Sequence, residues 1–299
     1  MAPRDLAFVA QDAPALPEIR KIGAGDVFDA LKRGLDDFRA MPTTHVIFLS
    51  LIYPIVGLVL ARLTFGYDVV PLLYPILAGF ALVGPFAAVW IYELSRRREA
   101  GLDVAWHHAF DIVHARSFGA ILVLGFLLMA LFVIWLAVAH AIYVAIVGYG
   151  APVSLGYFIN QVFTTPEGWL LILIGNGVGF LFAVTALAIS VVSFPLLLEH
   201  NVGAMAAIAT SVKAVMKNPA AMALWGFVVA AALAVGSIPF LFGLAVVMPV
   251  LGHATWHLYR KVVDAQTSPP QEYREPEKRV RYAADFPAAL FPVSTDRRP

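Results

Sequence analysis

SFGAILVLGFLLMALFVIWLAVAHAIYVAIV, residues 117–147, contains no Asp, Glu, Lys or Arg. A helix on the surface of a soluble domain keeps one polar face, and this stretch has none. About 20 apolar residues suffice to carry a helix through the ~30 Å hydrocarbon core of a bilayer, so the stretch reads as a membrane span with residues to spare. Windows of the same kind lie on both sides of it, at roughly 44–64, 71–94, 168–198, 220–236 and 239–258. Gly236-Ser237-Ile238-Pro239 separates the last two and is short enough only for a tight turn. The expected fold is therefore all-α: a polytopic membrane protein of six transmembrane helices.

Composition agrees. The 299 residues are 60% hydrophobic and 14% charged, with a mean hydropathy of +0.79, where a soluble domain carries about 25% charge. There is no cysteine, which excludes disulfides, thiolate metal sites and cysteine nucleophiles. The formal net charge of +1 singles out no nucleic-acid surface, and no nucleic-acid partner is expected. Charged residues of both signs fill the first 40 positions without an apolar core segment, so a cleavable signal peptide is not expected.

Orientation follows from the basic residues. All but Arg62 of the 21 lysines and arginines fall in the N-terminal segment, the loops after the second and fourth spans, or the C-terminal tail. By the positive-inside rule these segments and both termini are cytoplasmic.

The basic segments carry amphipathic patterns. In residues 26–41, DVFDALKRGLDDFRAM, helical spacing puts Val27, Phe28, Leu31, Leu35, Phe38 and Met41 on one face and Asp29, Lys32, Arg33, Asp36 and Asp37 opposite. Residues 203–216 repeat this with Met205, Ile208, Val212 and Val215, and residues 103–116 more loosely with Trp106, Phe110 and Val113. The chain thus reads as three repeats of cytoplasmic amphipathic helix plus transmembrane hairpin, about 24–98, 99–200 and 201–262. They are preceded by a flexible segment, 1–23, and followed by a disordered tail, 263–299, rich in proline and alternating charge.

Few ionisable residues fall within the spans, which makes each informative. Glu93 ends the second, Glu199 and His200 end the fourth, and His253 and His257 end the sixth in GHATWHLYR. With Tyr92 they form a candidate polar cluster at the cytoplasmic end of the bundle. The i, i+4 histidines are the candidate metal ligands, because that spacing puts both imidazoles on one face; no particular metal or cofactor is specified. The structural alternative is an interfacial belt, in which these groups, Trp90, Trp256 and Tyr259 sit at headgroup depth and reach water. His140 reads as a buried polar residue of the third span, satisfied by Tyr143 or Asn176. His107, His108 and His114, near Asp103 and Asp111, read as a solvated helix face with metal binding as the alternative. GNGVG at 175–179 lacks a preceding strand and reads as close helix packing rather than a nucleotide loop.

Three blocks, GPFAAVWIYELSRRREAG (84–101), FPLLLEHNVGAMAAIATSVKAVMKNPAAMALWG (194–226) and FGLAVVMPVLGHATWHLYRK (242–261), resemble an uncharacterised bacterial integral-membrane family, domain of unknown function 2189. The resemblance spans about residues 26–262, with GHATWHLYR its most specific part. It implies an integral-membrane fold, located in a bacterial inner membrane, and no established activity. Some members carry a label as cytochrome c oxidase subunits, which implies a respiratory oxidase as a partner complex, but an oxidase core needs several deep histidines and only His140 qualifies. Three functions stay open: a non-catalytic binding, assembly or accessory protein for a membrane complex; a small-molecule or ion transporter gated by the Glu/His cluster; and a metal- or haem-binding membrane protein. The first is the preferred expectation.

Overall fold

The computed structural model describes residues 17–41, 70–149, 154–239 and 241–264, with isolated positions between 55 and 62. The expected first span, 44–64, lies outside the described residues except for those few positions. Among the described residues four helical stretches are long and apolar enough to cross a membrane: Val70–Glu99, Phe118–Val147, Pro166–Glu199 and Pro219–Ser237. They coincide with the second to fifth expected spans.

The first of these is a short 3-10 turn, Val70–Leu72, followed by α2, Leu73–Ala87, and α3, Val89–Glu99. Pro85 lies inside α2. Having no N–H, it cannot bond the carbonyl four residues back, and α2 gives way to α3 within a turn. The second, α4 (Phe118–Val147), is unbroken. After α5 (Leu155–Thr164), the third is α6 (Pro166–Ser190) followed by α7 (Ser193–Glu199). Pro195 stands in the first turn of α7 and opens the helix at Val191 and Val192. The freed backbone is satisfied in place: the Val192 N–H donates to Ser211 Oγ at 3.2 Å, and Ser193 Oγ donates to the Ile189 carbonyl at 2.5 Å.

The fourth stretch is α9 (Pro219–Ser237), and three further helices, α1 (Ala24–Ala40), α8 (Ala204–Lys217) and α10 (Leu244–Val262), complete the described bundle. The sixth expected span, 239–258, corresponds to α10. It is not among the four most apolar stretches, because its second half carries His253, His257, Arg260 and Lys261. Most of α10 is buried inside the protein.

The amphipathic segments differ from expectation in which face they bury. In α1, Val27, Ala30, Gly34, Asp37 and Phe38 are buried, while Phe28 is 56% exposed. Asp37, expected on the polar face, is therefore inside. Helical spacing accounts for it: 27, 30, 34, 37, 38 and 41 make one stripe. In α8 the buried stripe is Ala207, Thr210, Ser211 and Ala214, and Met205 is exposed; small residues, not large ones, make the close approach. The second segment is a 3-10 helix, Trp106–His114. Its period of three turns Ala109 and Ile112 inward and leaves Phe110 and Val113 outward. His107 and His114 consequently do not share the face that an α-helix would give them.

Residues 17–23, expected in the flexible segment, are held. Ile19 is buried and pairs with Val263 in an antiparallel bridge. The Ile22 N–H donates to Asn218 Oδ1 at 2.8 Å, and Lys217 Nζ donates to the Ile19 carbonyl at 2.6 Å. The rest of both terminal segments, 1–16 and 265–299, lies outside the described residues.

Candidate functional site

The three elements that converge at the basic end are α1, α3 and α10. α1 crosses α10 at Gly34 and Ala254, so closely that a Cβ at Gly34 would lie 2.5 Å from the Ala254 nitrogen. Gly252, two residues before Ala254, lies against Ile91 of α3, where an added Cβ would meet the side chain at 2.8 Å. Small residues at these crossings bring the backbones together, and the long polar side chains beside them meet.

Asp37 is the centre of the first group. Its Oδ2 accepts from Ser95 Oγ at 2.8 Å and from His257 Nε2 at 2.9 Å, and its Oδ1 accepts from Arg98. Burial raises the Asp37 pKa, but the hydrogen bond and charge of His257, with the Ser95 hydroxyl, more than offset it and hold the carboxyl below its ordinary range. Since Ser95 gives its proton to Asp37, its oxygen accepts from His253 Nδ1, 2.7 Å away. That fixes His253 as the Nδ1–H tautomer. Its Nε2 then presents a bare lone pair, fully buried and without a hydrogen-bond partner among the described residues.

Glu199 is the centre of the second group. Oε2 accepts from the Tyr259 hydroxyl at 2.5 Å, and Oε1 accepts from Arg260 Nη1 at 2.7 Å. Arg260 Nε also donates to Glu99 Oε1 at 3.0 Å, and Trp256 Nε1 donates to Glu99 Oε2 at 2.8 Å. Lys261 closes the row against Asp26 and Asp29 of α1, at 3.2 and 2.9 Å. The bonds to Asp29 and Asp26 raise the Lys261 pKa; Lys261 in turn lowers Asp29, whereas Asp26 is lowered first by the Gly23 N–H and further by Lys261. A cleft of about 140 Å³ opens beside them, lined by Arg33, Glu99, His257, Arg260 and Lys261.

The predicted cluster is thus divided rather than assembled. His253 and His257 meet on Asp37, His257 directly and His253 through Ser95. Glu199 and His200 lie in the other group, with His200 Nε2 3.6 Å from Glu199 Oε2. Glu93 is fully buried and held in a bidentate pair by Arg96 of its own helix, at 2.7 and 2.8 Å. Tyr92, also buried, faces the Thr255 hydroxyl. The interfacial-belt alternative fails for most of these residues: Glu93, Glu199, His200, His253, Trp256 and Tyr259 are all buried. Trp256 and Tyr259 turn their polar tips to carboxylates instead of headgroups. Among the described residues no three His, Asp or Glu side chains converge as a metal site requires.

His140 is corrected outright. It lies on the exposed side of α4, because Trp135, Ala139 and Tyr143, four residues apart, form the inward face. Tyr143 is the buried group, and Asn176 Oδ1 accepts instead from the Tyr74 hydroxyl at 2.8 Å. His108 is bracketed by carboxylates, Nδ1 2.8 Å from Asp111 and Nε2 3.2 Å from Asp103. GNGVG lies inside α6 as expected, but only Gly179 packs closely, against the Trp135 ring.

Asp37, Ser95, Arg98 and Glu99 are the partners that the sequence reading did not select. For Asp37 the signal was present in its register with Val27, Ala30 and Gly34. For Ser95, Arg98 and Glu99 it was not, since only the crossing of α3 with α10 brings them into use.

A bundle of long apolar helices, buried polar ties at one end and small residues at the crossings defines a multi-pass helical membrane protein. Residues 73–199 match the family model described as "Predicted integral membrane protein", domain of unknown function 2189. This is the family the sequence blocks resemble; the match takes in α2 to α7 and ends before GHATWHLYR. No curated protein and no solved structure matches the chain.

Proposed function

We propose that the chain is a non-catalytic membrane protein that binds, assembles or supports another membrane complex. In this reading it has six spans in three units, 24–98, 99–200 and 201–262, and both termini face the cytoplasm of a bacterial inner membrane. One observation carries the role. Five side chains of GHATWHLYRK end on carboxylates of other helices: His257 on Asp37, Trp256 and Arg260 on Glu99, Tyr259 and Arg260 on Glu199, and Lys261 on Asp26 and Asp29. Side chains committed to each other lock helices into a platform, and they are not free to take up and release a solute. The family label makes a respiratory oxidase the first complex to look for. Crosslinking and pull-down from native membranes test this: a defined co-purifying membrane complex is expected, and recovery of free monomer alone overturns it.

A second reading, metal or haem binding, is favoured by His253. Its Nδ1–H is fixed by Ser95 and Asp37, the outer-shell arrangement that orients a ligating imidazole, and its Nε2 has no partner among the described residues. Metal analysis and an absorption spectrum of the purified protein decide it, with His253→Ala as the control.

A further inference from the structure

The helix α5 interrupts the connection between two spans, and no residue in it is buried. Leu155, Ile159 and Phe163, four apart, form one stripe, 36%, 48% and 59% exposed. Asn160 and Thr164 form a second exposed stripe, and Phe158 and Val162 a third that turns toward the bundle. From Gly148 to Pro166 the chain has no charged residue.

The level at which α5 lies follows from the spans. At roughly 1.5 Å per residue, Tyr74 stands about 28 Å from Glu93, Asn176 about 34 Å from Glu199, and His140 about 33 Å from Phe118. Tyr74 and Asn176 bond each other, and Trp135, five residues before His140, donates to the carbonyl of Pro75 at 2.9 Å. Tyr74, Asn176 and His140 therefore lie near one level, about a ~30 Å hydrocarbon thickness from the basic end. Phe158 of α5 packs edge-on to Tyr143, ring centroids 6.1 Å apart. Tyr143 is one turn beyond His140, about 5 Å, which falls within the headgroup layer of the far leaflet. Trp169, its ring edge-on to Phe163 at 6.5 Å, adds the amphipathic aromatic side chain that favours this layer. A tight corner fixes the helix there: a Cβ at Gly168 would lie 2.3 Å from the Val162 carbonyl oxygen.

We propose that α5 is an interfacial helix that seats Leu155, Ile159 and Phe163 in the lipid of the leaflet opposite the basic end, with Asn160 and Thr164 turned to water. Phe163 of this stripe meets Trp169 of α6, beside which Leu170 and Leu173 are also exposed, and with no charge in the segment the attachment is apolar and indifferent to headgroup charge.

The absence of cysteine makes the test direct. The full-length variants Ile159→Cys, Phe163→Cys, Asn160→Cys and Thr164→Cys are spin-labelled and reconstituted in phosphatidylcholine vesicles, with and without phosphatidylglycerol. All four positions are exposed, so the fold does not depend on them. The ratio of oxygen to nickel-chelate accessibility is expected to be several-fold higher at 159 and 163 than at 160 and 164, in both vesicle types. Equal ratios at all four positions overturn the proposal. So does a label at 159 shielded from both reagents, which means a second copy or another protein covers the stripe, and so does a pattern that requires phosphatidylglycerol.

Discussion

Gly34 of α1 and Ala254 of α10 are in backbone contact: a methyl group at Gly34 would stand 2.5 Å from the Ala254 nitrogen and 2.6 Å from its Cβ. No rotamer relieves that overlap, because both atoms are fixed by their helices. The contact sets the distance at which Asp37, one turn along α1, reaches His257, one turn along α10.

Gly34→Ala is therefore expected to push α1 from α10 and cost on the order of 2 kcal/mol, the range of an overpacked core site. Gly25, in the same helix with nothing within 4 Å of an added Cβ, is the internal control. Gly25→Ala is expected to be neutral or stabilising by up to about 1 kcal/mol. Chemical unfolding in detergent measures both, and equal effects at the two positions contradict the crossing.

Asp37→Ala removes the acceptor shared by Ser95, His257 and Arg98. Losing a buried carboxylate that serves three donors is expected to cost about 3 kcal/mol, tempered by the partial exposure of Arg98. Limited proteolysis that cleaves the variant around α1 no faster than the wild type argues against a latch at this position.

The same residue sets an acid limb of stability. The folded pKa of Asp37 lies below its ordinary value, so its contribution is complete above the ordinary carboxylate range and is lost as pH falls through the lowered folded value. Lys261 acts in the opposite sense. Its folded pKa is raised, so its contribution is complete below the ordinary lysine range and is lost as pH rises through the folded value. Melting temperatures of Asp37→Asn should show a flatter acid limb than the wild type, and those of Lys261→Met a flatter alkaline limb.

His253 should carry a proton on Nδ1, as its bond to the Ser95 oxygen requires. Nitrogen chemical shifts of labelled histidine report the tautomer. Ser95→Ala strands both ring nitrogens in a buried site and should lower stability by about 1–3 kcal/mol while disturbing the His253 signals. An Nε2–H tautomer in the wild type rejects the Asp37–Ser95–His253 order of hydrogen bonds.

What the sequence determined by itself is the part governed by solvent. Apolar runs such as 117–147 have no soluble alternative, so the membrane location could be read, and the second to fifth spans to within five residues at each end. GHATWHLYRK could also be recognised as polar and placed at the basic end. Which carboxylate each of its donors meets could not be read, because that depends on backbone approach: Gly34 on Ala254 and Gly252 on Ile91 bring three helices within hydrogen-bonding reach, and hydropathy holds no record of it. The inside of α1 was decided in the same way. Asp37 scores as a surface residue, and only the arrival of Ser95, Arg98 and His257 around it makes a buried charge stable. His140 shows the converse. It sits in an apolar run and reads as buried, yet a rotation of 100° per residue separates it from Ala139 and leaves it on the outer face. Solvent preference is a property of each residue, but partnership belongs to pairs brought together by packing.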